Sequence, residues 1–196
     1  MNRLTDGELL DAWDGGKAEA FSALVARHES SLLHHARALV GDGSEDVVQE
    51  VFLKLAQNPP VLPDEIRGDA EHERAQLSSW LHRVTRNCCM DALRSETRRK
   101  RREHEASASE ATGGGLDSVE NADTAAAVQR GLDNLNGDQR EVLALRLFGE
   151  KSYREIAEIT GKKVGTVGWL ISEGLKQLAG DLSHLVPAAN AEGARG

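Results

Sequence analysis

The stretch from residue 135 to 178 constrains the fold more than any other part of the chain. It reads LNGDQREVLALRLFGEKSYREIAEITGKKVGTVGWLISEGLKQL, which predicts three short helices joined by tight turns. Ser152 and Asp138 each precede a glutamate by three residues, the spacing of a capping box at a helix N-terminus. Gly161 can adopt the left-handed conformation that ends a helix. The last two helices therefore have helix-turn-helix spacing.

The helix after this turn has one apolar side. Its apolar residues recur at steps of three and four, which indicates one buried face: Val164, Val167, Ile171, Leu175 and Leu178. A second helix held against a first by a glycine-containing turn is the arrangement that inserts into the major groove of DNA. From spacing alone, an ordinary helical hairpin in a protein core is an equal alternative.

Composition favours small helical domains joined by linkers over one large core. The chain has 196 residues, of which 39% are hydrophobic and 4% aromatic, and its net charge is −8. That charge argues against a protein that coats nucleic acid uniformly. No apolar run approaches the ~20 residues that span a bilayer, and the N-terminus lacks the pattern of a signal peptide. We therefore expect a cytoplasmic protein without a membrane segment of its own.

The cysteines and histidines predict neither a disulfide nor a metal site. Cys88 and Cys89 are adjacent, so they cannot pair with each other without severe strain, and reduced buried thiols are expected. His28, His34 and His35 have no Cys, Asp or Glu at zinc-ligand spacing around them. No cofactor is expected.

The N-terminal half predicts amphipathic helices. One covers 17–40 and a second covers 44–57, SEDVVQEVFLKLAQ. The polar face of the second helix is acidic and rich in amides: Glu45, Asp46, Gln49, Glu50 and Lys54. Such a face is usually only solvated, but it can also dock a basic helical partner.

A further long helix is predicted from Leu77 to Arg102, after a loop from Asn58 to Glu73 that contains three of the four prolines and about one helical turn near 64–67. Between residues 83 and 102 there are eight cations and two carboxylates, Asp91 and Glu96, which gives 8 − 2 = +6. The macrodipole favours cations at a helix C-terminus. In a chain of net charge −8, however, this run is better interpreted as a surface that contacts phosphates.

Composition also predicts the division into domains. Residues 103–121 are rich in Ala, Ser, Glu and Gly and lack helical periodicity, which is typical of a flexible linker. We expect one domain over 1–102, the linker over 103–121, a second domain over 122–185 that starts with a helix to about residue 135, and a disordered tail over 186–196.

Three stretches, in this order, resemble the bacterial RNA polymerase sigma factors of the sigma-70 family. They are SEDVVQEVFLKLAQ, SSWLHRVTRNCCMDALRSETRRKRR and LNGDQREVLALRLFGEKSYREIAEITGKKVGTV. The resemblance is to the extracytoplasmic-function (ECF) group, which keeps only regions 2 and 4. It implies an all-α fold with two small helical domains, a region 2-like bundle and a region 4-like helix-turn-helix domain. It also implies a promoter-specificity subunit, with core RNA polymerase and promoter DNA as partners and no catalytic residues.

The resemblance assigns roles to three sets of residues. Core polymerase would be contacted at Asp46, Gln49, Glu50 and Phe52. The −10 promoter element would be contacted by Arg83, Arg86, Asn87, Arg94, Arg98 and Arg99. The −35 element would be contacted by Arg154, Lys162, Lys163, Thr166, Gly168, Trp169, Ser172 and Lys176. An anti-sigma factor is a further partner that the resemblance suggests.

The predicted recognition helix, the second helix of the helix-turn-helix from Val164, departs from the family pattern. Positions that are usually basic are here Gly168, Leu170 and Glu173. The three glycines of this helix suggest close approach of another surface. The adjacent apolar pair Trp169 and Leu170 either packs within its own domain or forms a protein-docking site. Two alternatives to a sigma factor therefore stay open: a helix-turn-helix regulator that acts without core polymerase, and a sigma-like protein whose C-terminal domain mainly makes protein contacts.

Overall fold

The computed structural model describes residues 4–106, 131–132 and 134–182, and within these ranges the regular structure is helical. Four α-helices belong to the N-terminal part: α1 (Asp6–Asp14), α2 (Ala18–Val40), α3 (Ser44–Gln57) and α4 (Ala70–Ala106), with a 3-10 turn at Asp64–Ile66. The C-terminal part contains α5 (Gly137–Leu147), α6 (Tyr153–Thr160) and α7 (Val164–Leu182), and residues 131–132 are also helical. The predicted all-α class is confirmed. The predicted linker and tail lie outside the described residues, apart from the end of α4.

The first domain packs α1, α2, α3 and α4 around one apolar core. Leu24, Leu32, Val51, Leu55 and Leu81 are fully buried there. They come from the apolar sides that helical periodicity predicts. The two cysteines of α4 are free and buried, as expected for thiols on an apolar helix face.

Helix α4 begins about two turns earlier than its sequence predicts. The carboxylate of Asp69 accepts hydrogen bonds from the backbone N–H groups of Glu71 and His72, both at 3.1 Å. The Glu73 carboxylate accepts from the backbone N–H of Gly7, 66 residues away, at 2.8 Å. A local cap and a long-range contact therefore place 70–73 in the helix, and the prediction that the loop continues to Glu73 was wrong. The predicted turn near 64–67 is confirmed.

The second domain contains the helix-turn-helix, and its turn is as predicted. Ser152 caps α6 with Glu155 in a reciprocal capping box, and Gly161 has a left-handed backbone with φ 71°. The capping box predicted at Asp138 was wrong. Helix α5 is capped instead by Asn136 with Gln139. Asp138 lies in the first turn and pairs with Lys162 at 2.9 Å.

The two domains pack against each other through α2 and α4 on one side and α5 and α6 on the other. The ring of His34 stacks on the ring of Phe148, with centroids 4.0 Å apart. The Ser79 hydroxyl donates a hydrogen bond of 2.9 Å to Glu155. Helix α7 lies away from this contact: Gly165, Thr166 and Trp169 near its start are exposed.

Candidate nucleic-acid and protein interfaces

The polar face of α3 is open to solvent. Asp46, Gln49 and Glu50 are exposed, whereas Phe52 is buried at 8% exposure. Phe52 contacts Phe21 edge-on, with ring centroids 6.4 Å apart, so it belongs to the core beneath this face. We call Asp46, Gln49 and Glu50 the acidic face.

A groove between α3 and α4 borders the acidic face on one side. It has a volume of about 260 Å³ and is lined by the four carboxylates of Asp42, Asp46, Glu50 and Glu96. Lys54 donates to Glu50 at 2.9 Å and to the sulfur of Cys88 at 3.1 Å. These two hydrogen bonds raise the pKa of Lys54. Glu96 pairs in the same way with Lys100 at 2.7 Å, so the charge that can attract a basic segment of a partner comes mainly from Asp42 and Asp46.

A second groove, between α2 and α3, lies on the other side of α3 and is mainly apolar. Its volume is about 520 Å³, and Phe21, Val25, Leu33, Val48 and Leu53 contribute its apolar lining. The side chain of Leu53 is 60% exposed at its edge. Helix α3 therefore presents carboxylates to one groove and mainly apolar side chains, together with Glu45 and Gln49, to the other, as an amphipathic docking surface does.

Four of the predicted −10 contacts form one exposed ridge on α4. Arg83, Asn87, Arg94 and Arg98 are exposed, and their spacings of four, seven and four residues place them on one helix face. We call these four residues the basic ridge. The Arg94 guanidinium lies 3.1 Å from Asp91, but both side chains are about 70% exposed, so this pair holds Arg94 only weakly. Arg99 is also exposed.

Arg86 faces the second domain and does not lie on this ridge. Its Nε donates a hydrogen bond of 2.8 Å to Oε1 of Glu141. The Arg86 side chain is 27% exposed and that of Glu141 is 3% exposed. His35 Nε2 lies 3.7 Å from the same carboxylate oxygen. The role of Arg86 in contacting DNA stays a prediction, and in this arrangement its guanidinium is engaged by a carboxylate.

A buried histidine pair extends this contact. His82 Nδ1 and His35 Nδ1 are 3.1 Å apart, and both side chains are fully buried. Burial is the main cause that lowers the pKa of His82 well below its usual value, and the proximity of His35, Lys151 and His28 adds to it. We call His35, His82, Arg86 and Glu141 the interdomain cluster. Sequence reasoning missed it, because Glu141 has the spacing of a local cap, His35 was weighed only as a metal ligand, and no local pattern singles out His82.

The structure separates the Trp169–Leu170 pair. Leu170 is 4% exposed and packs in the core of its own domain, whereas the Trp169 side chain is 61% exposed. The close approach predicted for the glycines of α7 is found at Gly174, where an added Cβ would lie 2.8 Å from Leu143. At Gly165 such a Cβ would have no neighbour within 4 Å. The pair thus divides between the core and the surface.

The remaining predicted −35 residues differ in solvent exposure and in the ion pairs that they form. Arg154, Lys163, Thr166 and Ser172 are exposed. Gly168 lies against the ring of Tyr153, 3.6 Å from where its Cβ would be. Among the lysines, Lys162 pairs with Asp138 at 2.9 Å and Lys176 pairs with Glu173 at 2.6 Å. Two exposed cations therefore flank the helix-turn-helix: Arg154 at the start of α6 and Lys163 directly before α7.

The described part of the chain contains neither a membrane span nor a metal-binding cluster. No helix in 4–106, 131–132 or 134–182 is long and apolar enough to cross a membrane. The same ranges contain no group of three or more His, Cys, Asp or Glu side chains arranged to hold a metal ion.

Comparison with known proteins relates both halves of the chain to one family. The model of sigma-70 region 2 matches residues 24–99, and the model of sigma-70 region 4 matches residues 125–178. The ECF RNA polymerase sigma factor SigM of Mycobacterium tuberculosis is 30% identical over 189 residues, covering 95% of this chain and 89% of that protein. The ECF RNA polymerase sigma-E factor of Escherichia coli K12 is 30% identical over 177 residues, covering 84% of this chain and 87% of that protein.

Two solved structures share the fold. One is the sigma factor RpoE in complex with the anti-sigma factor NepR from Bartonella quintana, with TM-score 0.59, 21% identity and coverage of 85% of this chain and 98% of that chain. The other is CnrH in complex with the cytosolic domain of CnrY, with TM-score 0.55, 23% identity and coverage of 91% and 97%. With the region 2 and region 4 matches and relatives at 30% identity over most of their length, this chain belongs to the ECF group of the sigma-70 family.

Proposed function

We propose that this protein is an alternative sigma factor that binds core RNA polymerase in the cytoplasm, recognises the −10 and −35 promoter elements and helps to melt the −10 region. The observation that carries the proposal is that the first domain exposes two surfaces of opposite charge. The acidic face on α3 and the basic ridge on α4 are both exposed, and each has the charge that its proposed partner requires.

The acidic face is the proposed contact with polymerase. Asp46 and Glu50 line the carboxylate-rich groove, and the mainly apolar groove lies on the other side of α3. A partner helix with basic residues on one side and apolar residues on another would fit both. Complementary charge determines partner choice and association rate more than affinity, and opposing like charges across an interface cost several kcal/mol.

The basic ridge is the proposed contact with the −10 element. Arginines that neutralise phosphates bind without regard to sequence and give strong salt dependence. Asn87, exposed between Arg83 and Arg94, supplies an amide within the ridge that can hydrogen-bond a base. Flipping out a base costs a few kcal/mol, and stacking on a protein returns ~1–3 kcal/mol per base. Melting is thus driven by binding energy, with no chemical step.

Promoter binding would require the two domains to separate. The −10 and −35 elements are about two helical turns apart, ~70 Å at ~35 Å per turn. A compact body of ~150 residues has a radius of gyration near 15 Å, and so a diameter of ~40 Å. Arg86, now bonded to Glu141 at 2.8 Å, would become available to DNA only on separation. We propose that core polymerase stabilises the separated arrangement.

An anti-sigma factor is the third proposed partner. The solved sigma factors RpoE and CnrH are each in complex with an anti-sigma partner, NepR and the cytosolic domain of CnrY. The exposed acidic face and its two grooves are available in this chain for a partner of that kind, which would compete with core polymerase.

The test is run-off transcription with core polymerase and the double variant Asp46→Lys, Glu50→Lys. Wild-type protein should initiate at mapped promoters, and the double variant should bind core at least tenfold more weakly, since two like charges now face a basic partner. The matched control is Asp14→Lys, Glu19→Lys, which reverses two exposed carboxylates at the α1–α2 corner.

The two parts of the proposal fail in different ways. If the wild-type protein directs no initiation with any core polymerase tested, the sigma function is wrong. If it initiates but the Asp46→Lys, Glu50→Lys variant binds core as tightly as the control, the assignment of the acidic face is wrong. Circular dichroism of both variants establishes that they are folded.

A further inference from the structure

The outer face of α7 presents Trp169 as its one exposed aromatic side chain, with the Glu173 carboxylate one turn later paired with Lys176 at 2.6 Å. Trp169, 61% exposed, is preceded by Gly165 one turn earlier and followed by Ser172 one turn later. An added Cβ at Gly165 would meet nothing within 4 Å, so no neighbouring element covers this part of the helix. The Trp169 indole is therefore open to solvent, and a binding partner can approach the helix backbone beside it.

The first two turns of α7 lack the side chains that make paired hydrogen bonds to purines, and Thr166 is their one polar side chain. From Val164 to Ile171 the sequence is VGTVGWLI, without Arg, Lys, Asn or Gln. Arg and Lys read guanine by paired hydrogen bonds in the major groove, and Asn and Gln read adenine. In a helix-turn-helix, the N-terminal residues of the second helix contact base edges. Further along, the amide of Gln177 is turned back to the backbone oxygen of Asn134 at 3.2 Å.

The apolar group that the major groove displays is the 5-methyl group of thymine. We infer that Trp169 determines −35 specificity by apolar contact with a thymine methyl group. This inference rests on the proposed sigma function and names the base chemistry of its −35 site. Affinity comes from cations: Arg154, exposed at the start of α6, and Lys163, exposed directly before α7, can bind phosphates. Such contacts position a protein on DNA without specifying sequence.

The size of the effect follows from the burial of one methyl group. Burying one such group contributes ~0.8 kcal/mol, and 1.36 kcal/mol corresponds to tenfold. Replacing the contacted thymine by deoxyuridine, which has the same pairing edge and lacks the methyl group, should weaken −35 binding about fourfold. A position that Trp169 does not contact should show no such difference.

The experiment uses the full chain with core polymerase on a promoter mapped by run-off transcription. Each thymine of the −35 element is replaced in turn by deoxyuridine, and holoenzyme binding is measured. Wild-type protein should lose about fourfold at one or two positions. The Trp169→Ala variant should bind the thymine promoter more weakly and no longer distinguish thymine from deoxyuridine there. Leu175→Ala is the control, since Leu175 is 43% exposed but lies a turn and a half further along α7.

Several results would overturn the inference. They are a −35 element without thymine, a wild-type holoenzyme indifferent to deoxyuridine at every −35 position, or a Trp169→Ala variant that keeps the full discrimination. A Trp169→Ala variant that binds core more weakly, but whose holoenzyme still distinguishes thymine from deoxyuridine, would instead show Trp169 to be a protein contact. In each case, continued initiation by the wild-type protein would still support the sigma function. Absence of initiation would contradict both the sigma function and the role of Trp169. Trp169→Phe, which keeps an aromatic ring, should retain part of the discrimination if Trp169→Ala does not fold.

Discussion

Substitution of Glu141 by Gln should shift the protein towards separated domains. Glu141 is almost fully buried, and its partners Arg86 at 2.8 Å and His35 at 3.7 Å both belong to the other domain. Breaking a buried pair costs 3–5 kcal/mol, whereas an exposed pair contributes 0.2–1 kcal/mol. Because the Arg86 side chain is 27% exposed, it regains water when its partner is lost. We therefore expect Glu141→Gln to destabilise the packed arrangement by an intermediate ~1–2 kcal/mol. This raises the ratio of separated to packed molecules by 5–30-fold.

Small-angle scattering and single-molecule energy transfer measure this shift. Dyes at Glu45 on α3 and Ala179 on α7, both exposed, report the distance between the domains. The Glu141→Gln variant should show a larger radius of gyration and a larger low-transfer population than the wild type. Asp138→Asn is the matched control: it lies on the same helix and breaks the pair with Lys162 inside the second domain.

Glu141 does not hold the domains together if Glu141→Gln leaves both measurements unchanged, or if Asp138→Asn changes them equally. The first result would mean that the stacked His34–Phe148 rings and the remaining contacts hold the domains without the ion pair. The second would mean that the changes arise from the stability of the second domain and not from the interface.

Two further predictions concern stability. Because burial lowers the pKa of His82, the unfolded chain takes up a proton below about pH 6.5 that the folded chain does not, so the free energy of unfolding should fall as the pH drops below that value. Urea unfolding of His82→Leu should show a weaker loss between pH 6.5 and 5.5, and an unchanged slope would contradict the assignment. Ser152→Ala removes the cap of α6 and should cost ~1 kcal/mol in the same assay. Ser172→Ala, on the exposed side of α7, should lower the free energy of unfolding much less. Equal decreases for the two variants would contradict a stabilising role of the Ser152 cap.

The sequence alone determines the local features of this protein. The capping box of Ser152 and Glu155 forms within one helical turn, and Gly161 takes a left-handed backbone at the end of the same helix. Both features depend on local residue types, which therefore suffice to predict them. The alternation of apolar and polar sides on α3 follows likewise from helical periodicity, which is why the acidic side of α3 and the basic run of α4 can be predicted from residue types and spacing. The order of these segments was enough to indicate the family.

Only the tertiary structure decided which partner each polar side chain has. Glu141 has the spacing of a capping residue but binds Arg86, 55 residues away in sequence, because Asn136 caps α5 and frees the glutamate. Glu73 reaches Gly7 in the same way and brings the start of α4 forward to Ala70. Trp169 and Leu170 are adjacent and similarly apolar, yet one is exposed and the other buried. Contacts between distant segments leave no periodic trace in a sequence, and these contacts determine which charges and which apolar groups remain available to partners.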